Sequence, residues 1–102
     1  MAKRQKKSAL KIAHLASEVF PFSKTGGLAH AVADMAKAVD KLGHEVSIFT
    51  PLYGRIRTKF RKVNLIAKDV PVKIDSSTTL TFSVLKGEIS HSGGGKVDIY
   101  FI

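Results

Sequence analysis

Three mostly apolar runs, Leu10 to Ala16, Leu28 to Leu42 and Glu45 to Thr50, follow one another with short breaks and constrain the fold more than anything else in the chain. The first and third are short, and the first reads as a strand buried on both faces of a parallel sheet. In the second, Leu28, Val32, Met35, Ala36, Val39 and Leu42 recur at three- and four-residue spacings, the pattern of an amphipathic helix. Ala29, Ala31, Ala33, Ala36 and Ala38 favour helix and permit close packing on a sheet. Gly43 reads as the helix stop and Pro51 as the end of the following strand. Strand, helix and strand make one βαβ unit, with a right-handed crossover expected. Within it, Met35 reads as a core filler and His14 as a hydrogen-bonded core residue.

Beyond Pro51 the pattern turns to β. Val63 to Ala67 and Val70 to Ile74 are short β-prone runs, and Asp75-Ser76-Ser77 is a turn. Thr79 to Val84 alternates like a half-exposed strand, and Val97 to Ile102 reads as a returning strand. Between them, Ser90 to Gly95 reads as a flexible hairpin loop, since no helix pattern follows to make it an anion cradle. The expected fold is α/β, a mostly parallel sheet with a β-hairpin excursion.

A chain of 102 residues is at most one small domain. It has no cysteine, which excludes a disulfide framework, a thiolate nucleophile and a cysteine-ligated metal site. No apolar run approaches the roughly 20 residues that span a bilayer. The net charge of +9 sits in two clusters. Lys3, Arg4, Lys6 and Lys7 form a basic tail over residues 1–9, and Arg55, Arg57, Lys59, Arg61 and Lys62 follow the third run. With Phe60 the one aromatic inside either cluster, both read as solvated charge and not as a nucleic-acid face.

The loop between the first two runs contains Phe22-Ser23-Lys24-Thr25-Gly26-Gly27-Leu28. Glycines at a strand-to-helix turn allow two readings, a tight turn or an anion site. In the second reading the backbone approaches the ligand closely, and the N–H groups and positive dipole end of the helix face the anion. Lys24 adds a compact charge that reaches a phosphate as a point contact. This is neither the Walker pattern nor G-x-G-x-x-G. Glu18 is the acid nearest the glycines, able either to orient a sugar hydroxyl or to pair with Lys24.

The run from Lys11 to Ala29, with Ser17-Glu18-Val19-Phe20-Pro21 followed by Lys24-Thr25-Gly26-Gly27-Leu28, resembles the N-terminus of bacterial glycogen synthases and plant starch synthases. Leu42-Gly43-His44-Glu45-Val46 and Thr50-Pro51-Leu52-Tyr53-Gly54 look like that family's second strand and the loop after it. The likeness is close through Gly54 and is one of pattern from there to Ile102. It implies an incomplete Rossmann-like domain of the GT-B N-terminal type over residues 10–102, a truncated part of a starch synthase catalytic domain. It also implies transfer of glucose from ADP-glucose to the nonreducing end of an α-1,4-glucan, with no cofactor beyond the donor and no metal. The partners implied are a nucleotide sugar and an α-glucan, and the setting is the cytoplasm, or the plastid in a plant. The donor site carried over by the resemblance comprises Lys24, Gly26, Gly27, Glu18 and His30. No catalytic residue is identified. His30 stands where the family typically has an aspartate, and an imidazole does not accept hydrogen bonds as a carboxylate does. That departure favours a different nucleotide-sugar transferase as one alternative; a noncatalytic anion- or nucleic-acid-binding module is another, resting on the basic cluster from Arg55 to Lys62. The chain is expected to be a fragment without transferase activity on its own.

Overall fold

Val46, Ile48 and Thr50 are buried while Glu45, Ser47 and Phe49 are not, and Val97, Ile99 and Phe101 repeat the pattern. Such period-two burial belongs to strands with one covered face. The computed structural model describes residues 9–60 and 62–102, with the backbone alone at 57 and 58. In chain order it forms β1 (Lys11–Leu15), α1 (Gly27–Lys41), β2 (Glu45–Thr50), α2 (Ile56–Lys59), β3 (Asn64–Lys73), β4 (Thr79–Ser90) and β5 (Lys96–Phe101). The basic residues Lys3, Arg4, Lys6, Lys7 and Arg61, and the side chain of Arg57, lie outside what is described.

The five strands make a single sheet of order β1-β2-β5-β4-β3. β1 pairs parallel with β2, and β2 parallel with β5. β4 runs antiparallel to β5, and β3 antiparallel to β4. The expectation of a mostly parallel sheet is therefore corrected to a mixed one, parallel in two of its four pairings. The hairpin is rooted in the sheet through the C-terminal half of β4, Leu85 to Ser90, which is hydrogen-bonded beside β5, while Thr79 to Val84 pair with β3 alone.

Two β-prone runs become one. All of Val63 to Ala67 and Val70 to Ile74 except the end residues Val63 and Ile74 fall on β3, where register shifts between Leu65 and Ala67 and between Ala67 and Val70 absorb the polar Lys68-Asp69 break. Asp69 has φ 54°, the left-handed backbone of a bulge. An irregular strand bends and continues where composition suggested an interruption.

α1 lies against β2 and β5 and joins their core through Ala33 and Ala36, fully buried, while Ala29, equally buried, sits where the β1–α1 loop bonds to the helix. Val32 and Val39 pack at the margin of the core. Leu28, Met35 and Leu42 stay about half exposed, which corrects the reading of Met35 as a core filler. The helical spacing was right, but the alanines form the buried stripe, because a small side chain lets the helix axis approach the sheet. Gly43 ends the helix with φ 98°. β1 is likewise not buried on both faces, since Leu15 is 81% exposed on the side away from α1. His14 is no hydrogen-bonded core residue: its Nε2 is buried without a partner among the described residues.

The loop from Ser90 to Gly95 is a hairpin turn, as expected, and it is fastened rather than loose. His91 pairs through Nε2 with Asp40 near the end of α1, and its Nδ1 accepts the N–H of Gly93 at 3.1 Å. Lys41 donates to the Ser92 hydroxyl.

The alanine stripe makes a direct prediction. Ala33→Leu should destabilise the fold by about 1–3 kcal/mol through overpacking, whereas Met35→Ala should stay within about 0.5 kcal/mol of the parent. Denaturant unfolding of the two variants checks this, and the reverse order would contradict the packing described.

Candidate functional site

The loop from β1 to α1 is held by a wedge of aromatic rings. Phe22 stands edge-on to Phe101, ring centres 5.0 Å apart, and tilted against Phe60 at 4.8 Å. Gly87 on β4 makes the room. A Cβ there would sit 3.2 Å from the Phe101 ring and 3.4 Å from that of Phe22. Val19 is fully buried beside this cluster. Its N–H donates to the Ser23 hydroxyl and its carbonyl accepts the Ser23 N–H, which closes a tight turn. The N–H of Phe20 reaches the carbonyl of Ala29 at 3.1 Å and ties the turn to α1. The loop thus sits on the fully buried core and meets the helix at a fixed angle.

Glu18 is buried at the base of the loop. Its Oε2 accepts the Thr25 hydroxyl at 2.7 Å and the Thr25 N–H at 2.9 Å. The Thr25 hydroxyl lowers its pKa most; desolvation opposes this, and the N–H groups of Thr25, Ala29 and Gly26 add to the lowering. Of the two readings open from sequence, pairing with Lys24 does not occur. The carboxylate instead braces the Thr25–Gly26 backbone and faces part of the positive end of α1. Thr25, given no role in the sequence reading, is its main partner.

The remaining residues of the turn point outward. Lys24 is exposed and makes no ion pair or hydrogen bond among the described residues. Gly26 has φ −166°, extended backbone open to any residue, and no atom lies within 4 Å of a Cβ built on Gly26 or Gly27. Neither backbone strain nor internal crowding calls for glycine at these two positions. The tight-turn reading of the pair therefore loses its physical basis. The N–H groups of Gly27 and Leu28, at the start of α1, have no partner among the described residues. His30 stacks on Phe20, ring centres 4.1 Å apart and 25° from parallel.

Beside this turn, at the carboxyl ends of β1 and β2, a cleft of about 430 Å³ is lined by Ser17, Glu18, Ser23, Thr25, Tyr53 and Arg55 among others. Tyr53 donates its hydroxyl to the Ser17 carbonyl at 2.7 Å and so bridges the loops after the two strands. Open α/β sheets bind ligands at this edge. Thr50 to Gly54 stands out in the sequence as a motif, but nothing local singles out Tyr53, whose bridge to Ser17 spans 36 residues. Among the described residues no three His, Asp or Glu side chains come together as a metal site, and no helix is long and apolar enough to cross a membrane.

The lowered pKa of Glu18 has a defined sign. A carboxylate whose folded pKa is depressed contributes stability that is complete above the ordinary glutamate range and is lost as pH falls through the folded value. Glu18→Gln should therefore be less stable than the parent at neutral pH, with the gap closing as the solution is acidified. Thermal unfolding across pH checks this, and a gap independent of pH would contradict it.

The geometry can be set beside known proteins. The family model described as starch synthase catalytic domain matches residues 11–102. A glycogen synthase of Geotalea uraniireducens is 37% identical over 93 residues, which is 91% of this chain and 18% of that protein. A glycogen synthase of Koribacter versatilis is 45% identical over 64 residues, 63% of this chain and 13% of that one. Among solved structures, the catalytic domain of starch synthase IV from Arabidopsis thaliana, bound to ADP and acarbose, superposes with a TM-score of 0.69 at 28% identity, over 91% of this chain and 18% of that one. The chain thus spans less than a fifth of the length of these relatives. With the match running over nearly all of its described length, and with the sheet and the Lys24–Gly27 turn in place, the chain belongs to the starch synthase catalytic domain family.

Proposed function

We propose that residues 10–102 form the N-terminal part of a GT-B-type glucan synthase domain, and that the turn from Lys24 to Leu28 holds the diphosphate of ADP-glucose. The observation that carries this reading is the start of α1, where the N–H groups of Gly27 and Leu28 and the exposed charge of Lys24 have no partner among the described residues. No described atom lies within 4 Å of a Cβ built at Gly26 or Gly27, so the turn is open to solvent. These three groups suit one diphosphate.

The reaction proposed is transfer of glucose from ADP-glucose to the nonreducing end of an α-1,4-glucan, in the cytoplasm, or in the plastid for a plant protein. As the bond between the glucosyl carbon and the phosphate oxygen breaks, negative charge accumulates on the departing ADP. Donors fixed in advance toward that charge lower the barrier. Lys24 supplies the full charge, and the amides of Gly27 and Leu28 supply oriented dipoles. Glu18 takes a supporting part. Its own charge is absorbed by Thr25 and neighbouring amides, which keeps a buried anion from repelling the diphosphate. That arrangement makes Lys24 the main source of net attraction.

A second reading has an observation of its own. His30 is engaged with Phe20, so the helix presents a stacked imidazole where the family resemblance implies an acid. A donor other than ADP-glucose would fit such a change, and comparing ADP with UDP as ligands separates the two.

Lys24→Ala should weaken ADP binding by about 1.5–3 kcal/mol, roughly tenfold or more. Gly27→Ala should fold as well as the parent or better, because alanine favours helix, while also losing affinity for ADP. Calorimetric titration with parallel melting curves tests both. Parent-like ADP binding by both variants would overturn the proposal.

A further inference from the structure

The turn from Ser90 to Gly95 is built around a buried histidine that the donor reading leaves unused. The His91 side chain is 4% exposed and pairs through Nε2 with Asp40, whose own side chain is 19% exposed. Its other ring nitrogen is engaged as well, since Nδ1 accepts the Gly93 N–H at 3.1 Å. The space over the pair is closed. A Cβ on Gly95 would stand 2.5 Å from the Asp40 carboxylate and 2.8 Å from His91 Nε2, so any side chain there would push the pair apart. Two main-chain bonds complete the turn, from the His91 N–H to the Gly95 carbonyl and from the Gly94 N–H to the His91 carbonyl, each 3.1 Å.

The two ring contacts fix where the proton sits. A backbone N–H only donates, so Nδ1 is the bare nitrogen and Nε2 carries the hydrogen that Asp40 accepts. The clasp therefore needs the neutral ring. A second proton can go only to Nδ1, and there it turns the acceptor into a donor that faces the Gly93 N–H. The Gly93 bond is then lost. The Asp40 contact is not, because an imidazolium still donates from Nε2 and gains the attraction of the carboxylate. The other charged groups flanking the turn are Lys41 on α1 and the pair of Lys96 with Glu88 at the facing ends of β5 and β4. Lys41 donates to the Ser92 hydroxyl and opposes a new charge on the ring, whereas Glu88 is taken up by Lys96 at 3.2 Å.

We infer that His91 is a proton-operated latch on the β4–β5 turn: neutral, it clasps Gly93 to the end of α1 through Asp40, and protonated, it stays with Asp40 and releases Gly93. The two main-chain bonds carry no titratable group, so the release is local and the sheet stays paired. Asp40 lies at the end of α1 opposite Gly27, which leaves the donor turn outside the change. The inference stands apart from the glucan synthase reading.

Nuclear magnetic resonance of the chain between roughly pH 8 and pH 5, the range in which histidines change charge, tests this. At the alkaline end the ring nitrogen shifts of His91 should report the tautomer with hydrogen on Nε2. As the ring takes up its proton, the Gly93 amide should shift along the same curve. Its protection from hydrogen exchange, corrected for the intrinsic effect of pH, should fall about fivefold or more, while the amides of β4 and β5 keep theirs. His44 is told apart by its own reporter, because its Nδ1 accepts the Leu10 N–H at 3.1 Å. His91→Asn keeps an acceptor near the Nδ1 position without a titratable ring, so its Gly93 amide should not follow pH. The parent spectra decide alone if that variant fails to fold. A His91 ring with hydrogen on Nδ1 at pH 8 overturns the inference. So does a Gly93 amide that ignores the His91 titration, a ring that stays neutral until the whole fold is lost, or an unchanged pH response in folded His91→Asn.

Discussion

The close seating of α1 on the sheet is the constraint on which the rest depends. Ala33 and Ala36 are fully buried and keep the helix near β2 and β5. Its first residues are thereby fixed at the carboxyl edge of the parallel strands. Larger residues on that face would lift the helix, and the unpartnered N–H groups of Gly27 and Leu28 would move with it. The Phe22 wedge over Gly87 acts from the other side by pressing the β1–α1 loop onto Phe101. Helix and loop are also tied to each other by the bond from the Phe20 N–H to the Ala29 carbonyl.

The electrostatics of that turn follow from a competition. The start of a helix attracts anions, and Glu18 already occupies part of it. Its carboxylate faces Thr25, Gly26 and Ala29, which leaves Gly27 and Leu28 for anything arriving from solvent.

The βαβ unit was legible because its signals are local: helical spacing, a stop at Gly43 and a strand ended by Pro51. The turn from Lys24 to Leu28 was legible too, since its residues are consecutive. What escaped the sequence is long-range. Met35 and the alanines share the helical period, and only the sheet decides which stripe is buried. The antiparallel insertion of β4 beside β5 depends on pairing Leu85 to Ser90 with Lys96 to Phe101, which alternation alone does not fix. Asp69 read as a break and is a bulge. His91 read as part of a flexible loop, and its tie to Asp40 spans 51 residues. Tyr53 has meaning only beside Ser17, and Glu18 only beside Thr25.

The central claim is that the start of α1, from Gly26 to Leu28 beside Lys24, receives a diphosphate. Amide chemical-shift mapping of the chain during titration with ADP tests it most directly. The account requires the largest shifts at Gly26, Gly27 and Leu28, together with the neighbours of Lys24, and little change at the Ser90 to Gly95 turn. Shifts centred on that glycine turn, or no shifts at the start of α1 under saturating ADP, would contradict it.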